Sequence, residues 1–188
     1  MQLVWPSTDT LPGYVQALER GWSPNTLRVE AGQEELALIK AQNKEHGPDA
    51  FVVSLVDREC RGAPVRMPDG SVVPRLPGYR RWMWDGEFCG TISLRWQHGS
   101  NALPPYCLGH IGYAVVPWKQ RQGYATRALG LLLREAPAEG LAYVHITTEP
   151  DNIASQRVIR SNGGKLVEEF TSLPELGGMA MMRFRIVL

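Results

Sequence analysis

The sequence predicts an α/β fold, a mixed and twisted central sheet flanked by helices. Three observations lead there: two helical patterns open the chain, a meander of strand-like runs follows, and strands alternate with helices through the second half. Hairpin-linked strands pair antiparallel, whereas strands joined by helices pair in parallel, so the sheet is expected to be mixed.

Composition sets the bounds. A chain of 188 residues with 44% hydrophobic content can bury a core without staples, and residues 1–188 are expected to form a single domain. Twenty basic against 19 acidic residues give a net charge of +1, which argues against nucleic acid or a membrane surface as the main partner. Cys60, Cys89 and Cys107 are odd in number and contain no C-x-x-C pair, which speaks against a disulfide framework and a thiolate zinc site and fits a reducing cytoplasm. The opening "MQLVWPSTDTLPG" lacks a basic stretch followed by an apolar run, and no segment reaches the roughly 18 apolar residues of a membrane span, so neither a leader nor a span is expected.

The elements follow in order. Apolar residues at helical spacing predict helices over 10–22, through Tyr14, Val15 and Leu18, and over 29–43, through Leu36 and Ile39. The β-branched run "AFVVSLVD" predicts a strand over 50–57, and the Pro- and Gly-rich residues 58–79 a long loop with a small hairpin at Asp69-Gly70. "RRWMWDGEFCGTISLRW" is the clearest hairpin, because Asp85-Gly86 suits a two-residue turn. After a loop over 97–108 come a strand at 109–116, a helix at 122–136, a strand at 142–148, a helix at 152–162 and strands at 165–170 and 179–187.

The turn "VVPWKQRQGYATRAL" at 115–129 carries the chemistry. Pro117 removes a ladder donor, so the preceding strand ends or splays there and the backbone of Val115 and Val116 becomes available to a ligand. The helix that follows buries Ala125, Ala128, Leu129, Leu132, Leu133 and Ala136 on one face. Its first amides, from Arg121 to Thr126, point into the gap, flanked by Gln120, Arg121 and Gln122. Gly123 admits a ligand to the backbone, and the macrodipole adds positive character, so the turn reads as a pyrophosphate cradle. An ordinary strand-to-helix turn with a solvated polar face is the alternative. Neither G-x-x-x-x-G-K-[ST] nor a strand-borne G-x-G-x-x-G occurs, which sets aside nucleotide loops of those kinds.

"QRQGYA" at 120–125 resembles the [QR]-x-x-G-x-[GA] signature of the GNAT superfamily of N-acetyltransferases, with Gln120, Gly123 and Ala125 at the defining positions. The likeness extends over 109–164, through "GHIGY", the strand "LAYVHITTE" and "DNIASQRVIRSNGG", and is much weaker over residues 1–80. It implies a GNAT-like sheet splayed at an acyl-CoA site and an enzyme using acetyl-CoA or another acyl-CoA as co-substrate, with no metal. The pantetheine arm would pair with Val115 and Val116, and the diphosphate would sit over Arg121, Gln122, Gly123, Tyr124, Ala125 and Thr126. Asn152 would contact the arm, and Ser155 would line the sulfur end of the site. Where many members carry a tyrosine acid for the departing thiolate, this chain has Ile159. A thiol pKa near 8.5 makes that acid dispensable, with water or Ser155 as proton source.

Acetyl transfer to an amine also needs a polarised carbonyl and a base. The Val116 amide is the expected oxyanion donor. The strand at 109–116 has no carboxylate, which leaves His110, Glu149 and Glu87 as candidate bases. His110 lies six residues from the splay, about 20 Å of extended chain; Glu149 ends a strand on the edge where open α/β sheets bind ligands. Trp82, Trp84, Arg95, Trp96, His98 and Tyr106 are candidate acceptor contacts, though each is more often core or surface filler. The expected activity is acyl transfer to a small-molecule amine or a peptide, with a CoA-binding module lacking turnover as the alternative. The alternating final strand could also support a homodimer by edge pairing.

Overall fold

The computed structural model describes residues 1–26, 28–47, 49–67 and 69–188. In chain order the elements are β1 (Gln2–Val4), α1 (Leu11–Glu19), α2 (Ala31–His46), α3 (Ala50–Ser54), β2 (Val56–Asp57), β3 (Val65–Arg66), β4 (Val72–Val73), β5 (Gly78–Trp84), β6 (Phe88–Arg95), β7 (Ile111–Val115), α4 (Tyr124–Leu132), β8 (Tyr143–Thr148), α5 (Ile153–Ser161), β9 (Lys165–Thr171) and β10 (Ala180–Val187). Among the described residues the strands form three ladders. One runs β1-β5-β6-β7 with β2 also on β5, a second runs β8-β10-β9, and β3 pairs with β4 around the Asp69-Gly70 turn.

The chain divides into two compact units of three segments each. The first comprises Met1–Val56, Tyr79–Ser93 and Tyr113–Ala128; the second comprises Asp57–Gly78, Leu94–Gly112 and Leu129–Leu188. An aromatic cluster fills the first. The fully buried Tyr14 ring stacks on Trp82 at 5.0 Å and on Phe51 at 5.9 Å, and Phe88 and Trp22 meet its edge. Leu18, Ile39, Ala114 and Val116 close the same core, so α1 and α2 bury the apolar stripes that predicted them. In the second unit β10 pairs antiparallel with β8 from Met182↔Thr148 to Val187↔Tyr143, burying Val144, Ile146, Phe184 and Ile186.

Three expectations need correction. Residues 50–57 are mostly helical: Phe51 and Val52 are buried while Val53 is exposed, two in and then out, as one turn of α3 gives and a strand does not. Packing of Phe51 on Tyr14 outweighs the β-branched composition. β1 was not expected; three residues become a strand because β5 offers an edge, pairing Gln2 with Trp84 and Val4 with Trp82. The helix at 122–136 is shorter, ending at Leu132 before a 3₁₀ turn over Ala136–Glu139 that carries Pro137.

Candidate active site

In the turn after β7, Arg121 has φ of 62° and Gly123 φ of 75°, two left-handed residues of the kind from which a nest of backbone N–H groups is made. Nothing lies within 4 Å of where a Gly123 Cβ would stand, so the glycine is required by its backbone angle and leaves its face open. The Arg127 N–H donates to the Gly123 carbonyl at 3.0 Å, and the amides of Tyr124 and Ala125, one turn earlier, have no carbonyl four residues back within α4. Gln120, Arg121 and Gln122 are exposed around them, and the dipole of the nine-residue α4 adds positive character.

The strand entering this turn differs from expectation in one respect. The Val116 N–H donates to the Cys89 carbonyl at 3.0 Å and its side chain is fully buried, so it offers no donor to an oxyanion. Pro117 ends the strand one residue too late to free it. Alternation in an antiparallel ladder then turns Val115 to the edge opposite β6, and its carbonyl receives the Gln120 amide at 3.3 Å. Gly90 allows β7 its close approach to β6: a Cβ there would stand 2.3 Å from the Ala114 carbonyl oxygen.

Beside the nest lies a charged cluster that the sequence did not announce. Asp85, in the β5–β6 turn, accepts from the Tyr124 hydroxyl at 2.6 Å and from Lys119 Nζ at 3.0 Å. Lys119 also reaches Glu87 at 2.7 Å. The Tyr124 hydrogen bond, with that of Lys119, holds the Asp85 carboxyl well below the usual carboxylate range, and Glu87 and Asp85 raise the Lys119 ammonium. Burial, with the Asp85 charge beside it, pushes the Cys89 thiol up to about 12, so it is an inert thiol at neutral pH. Glu87, a candidate base, is thus paired with an ammonium.

The second unit holds the remaining candidates. His110 is fully buried; its ring Nδ1 accepts the His145 backbone N–H at 2.9 Å, and its backbone N–H donates to the His145 carbonyl at 2.8 Å. Burial, then the neighbouring His145 and Arg95, push its imidazole down to about 4, so it is neutral at pH 7. Its accepting nitrogen is occupied, and a buried Nε2 without a hydrogen-bond partner cannot relay a proton onward. Asn152 caps α5, its side chain accepting from the Ser155 N–H at 3.0 Å. Ile159 is fully buried on that helix. Glu149 is half-buried at the end of β8, its carbonyl accepting from the Asn152 N–H at 3.2 Å. Next to it in sequence, Pro150 joins Glu169, Phe170, Thr171, Ala180 and Met181 around an open recess of about 300 Å³. Among the suggested acceptor contacts, Trp82 and Trp96 are buried core residues, and the Tyr106 hydroxyl donates to the Pro74 carbonyl.

This strand, nest and helix match a known domain: residues 16–165 fit the model of the acetyltransferase (GNAT) domain. The chain belongs to the GNAT acetyltransferase family. Solved structures share the fold of this acetyltransferase at low identity. The microcin C7 self-immunity acetyltransferase MccE, solved with acetyl-CoA and AMP, is 13% identical, with a TM-score of 0.60 over 99% of this chain and 91% of that one. RimL, the ribosomal L7/L12 α-N-protein acetyltransferase, solved with coenzyme A, is 16% identical, with a TM-score of 0.58 over 99% and 93%. Mycobacterium smegmatis RimJ, solved with a CoA disulfide, is 17% identical, with a TM-score of 0.57 over 98% and 80%. At these identities the likeness is one of fold. No match was found among curated proteins. Among the described residues no helix of the acetyltransferase is long and apolar enough to cross a membrane, and no group of three or more His, Cys, Asp and Glu side chains could hold a metal ion.

Proposed function

We propose that this acetyltransferase takes acetyl-CoA, or another acyl-CoA, and transfers the acyl group to a primary amine of a small molecule or a peptide by direct attack in a ternary complex. The nest of Arg121 and Gly123 at the start of α4 carries the reading, because backbone amides backed by a helix dipole and an exposed arginine suit a diphosphate. The pantetheine arm is assigned to the Val115 edge, whose amide takes over the donor role expected of Val116. Asn152 and Ser155 are assigned to the arm and its sulfur on the family resemblance, and both lie on an exposed or half-buried helix start.

In the reaction the amine nitrogen forms a bond to the thioester carbonyl carbon, the C–S bond breaks, and CoA leaves as thiolate while the amine loses one proton. Glu149 is the proposed proton acceptor, since His110 is neutral but enclosed and Glu87 is paired.

Thiol release from acetyl-CoA across a panel of amines, amino acids and peptides tests the reading. Turnover with one acceptor class, abolished by Gly123→Glu, is the expected result. A thermal shift with CoA but no thiol release from any acceptor would favour the binding-only alternative, which the buried Ile159 in place of a tyrosine acid supports.

A further inference from the structure

We propose that Asp85 is the positioning residue of the diphosphate loop: one carboxylate, presented by the β5–β6 turn, holds both ends of residues 119–124 and so sets the nest before a ligand arrives. The inference rests on reading residues 121–126 as the diphosphate cradle.

Three observations carry it. Lys119 and Tyr124 bracket the loop, and both end on Asp85, at 3.0 Å and 2.6 Å. Between those two anchors Gln120 to Gly123 are exposed, so the loop has no core of its own to fix it. Yet Arg121 stands at a left-handed φ of 62°, which a residue with a Cβ keeps only where its surroundings impose it. Tyr124 is the first residue of α4, so its hydroxyl contact fixes where the helix begins and the direction of its free amides.

The arrangement also divides the cations. Lys119 is shared between Asp85 and Glu87, and its side chain is 15% exposed, so its charge belongs to the hairpin. Within residues 119–124, Arg121 is then the basic side chain left to meet a diphosphate. A loop fixed in this way spares the ligand the ordering cost that a mobile loop would charge to binding. Asp85 therefore acts through Tyr124 and Lys119 and need not touch the ligand.

Calorimetric titration with CoA and with pantetheine, which lacks the diphosphate, gives the test. Wild-type protein should bind CoA more tightly than pantetheine. Tyr124→Phe, which removes one hydroxyl and no charge, should reduce that preference by about fivefold, the scale of one charge-assisted hydrogen bond partly expressed in binding. Asp85→Asn should reduce it at least as much, and the double variant no further, since the two residues form one device. Equal losses for CoA and pantetheine, additive effects in the double variant, or tighter CoA binding by Asp85→Asn through a freed Lys119 would each overturn the proposal. If Asp85→Asn does not fold, the preference of Tyr124→Phe decides alone. A wild-type protein without preference for CoA would instead sink the diphosphate reading itself.

Discussion

Two networks of the same chemistry stand in the first unit and do different things. In one, Glu35 accepts the Tyr14 hydroxyl at 2.7 Å and Arg80 Nη1 at 2.6 Å, joining α1, α2 and β5. In the other, Asp85 accepts the Tyr124 hydroxyl and the Lys119 ammonium, joining a hairpin turn to the start of α4. Each is a carboxylate with a tyrosine and a cation. The difference is what surrounds the tyrosine: Tyr14 is enclosed by Trp22, Phe51, Trp82 and Phe88, whereas Tyr124 borders an exposed loop. The two ion pairs are about equally shielded, so the contrast lies at the tyrosine: a hydrogen bond lost at the enclosed Tyr14 is not replaced by water and the fold loses stability, whereas one lost at Tyr124 is replaced by water and changes local geometry.

The largest effect should come from breaking the buried network. Glu35→Ala leaves the Arg80 guanidinium without its carboxylate and should cost about 3 to 5 kcal/mol, a fall in Tm on the order of 10 °C by calorimetry. A change within a few degrees would show that water reaches Arg80 and would erase the contrast.

Acid separates stability from loop geometry. Unfolded chain takes up a proton on His110 near its ordinary 6.5, whereas the folded protein does so only near about 4, so between those values the unfolded state binds more protons. Stability is therefore full above pH 6.5 and falls as pH drops towards 4, by about 3 kcal/mol for this one group. Urea unfolding at pH 7 and 4.5 measures it. Burial pushes the adjoining His145 down to about 4 as well, so His110→Asn, which keeps an acceptor for the His145 N–H, should reduce the dependence by about half, and an unchanged slope would place the acid sensitivity elsewhere. Asp85, held low by its partners, stays ionised throughout that window.

Deleting the same oxygen from each network is the finest comparison. Tyr14→Phe should cost about 1 to 3 kcal/mol, because Glu35 loses a partner where water is scarce. Tyr124→Phe should cost less than about 1 kcal/mol while weakening the preference for CoA over pantetheine. Equal losses of stability would make the two networks equivalent and leave Asp85 a structural residue.

Much of this was legible from local pattern. The stripe of Ala128, Leu129 and Leu132 predicts α4, Asp85-Gly86 the hairpin, and Gln120, Gly123 and Ala125 the family signature, because each signal lies within a few neighbouring residues. The failures share a cause. Residues 50–57 carry a strand's composition, yet Ala50–Ser54 fold as a turn of helix because Phe51 finds Tyr14, 37 positions earlier. Pro117 signals the end of a strand but not which amide it frees, which depends on whether Val116 meets Cys89. His110 looked like a base at a strand start and is a buried neutral ring, a property set by His145 and by enclosure.

The sequence by itself determined most of the elements, the family and the turn proposed to hold the diphosphate, since short-range periodicity and a contiguous signature encode them. Only the tertiary structure decided that Asp85, read as half of a turn, meets Lys119 and Tyr124, 34 and 39 positions away. Which carboxylate pairs with which cation is a matter of distance in space, and a linear pattern contains no term for it.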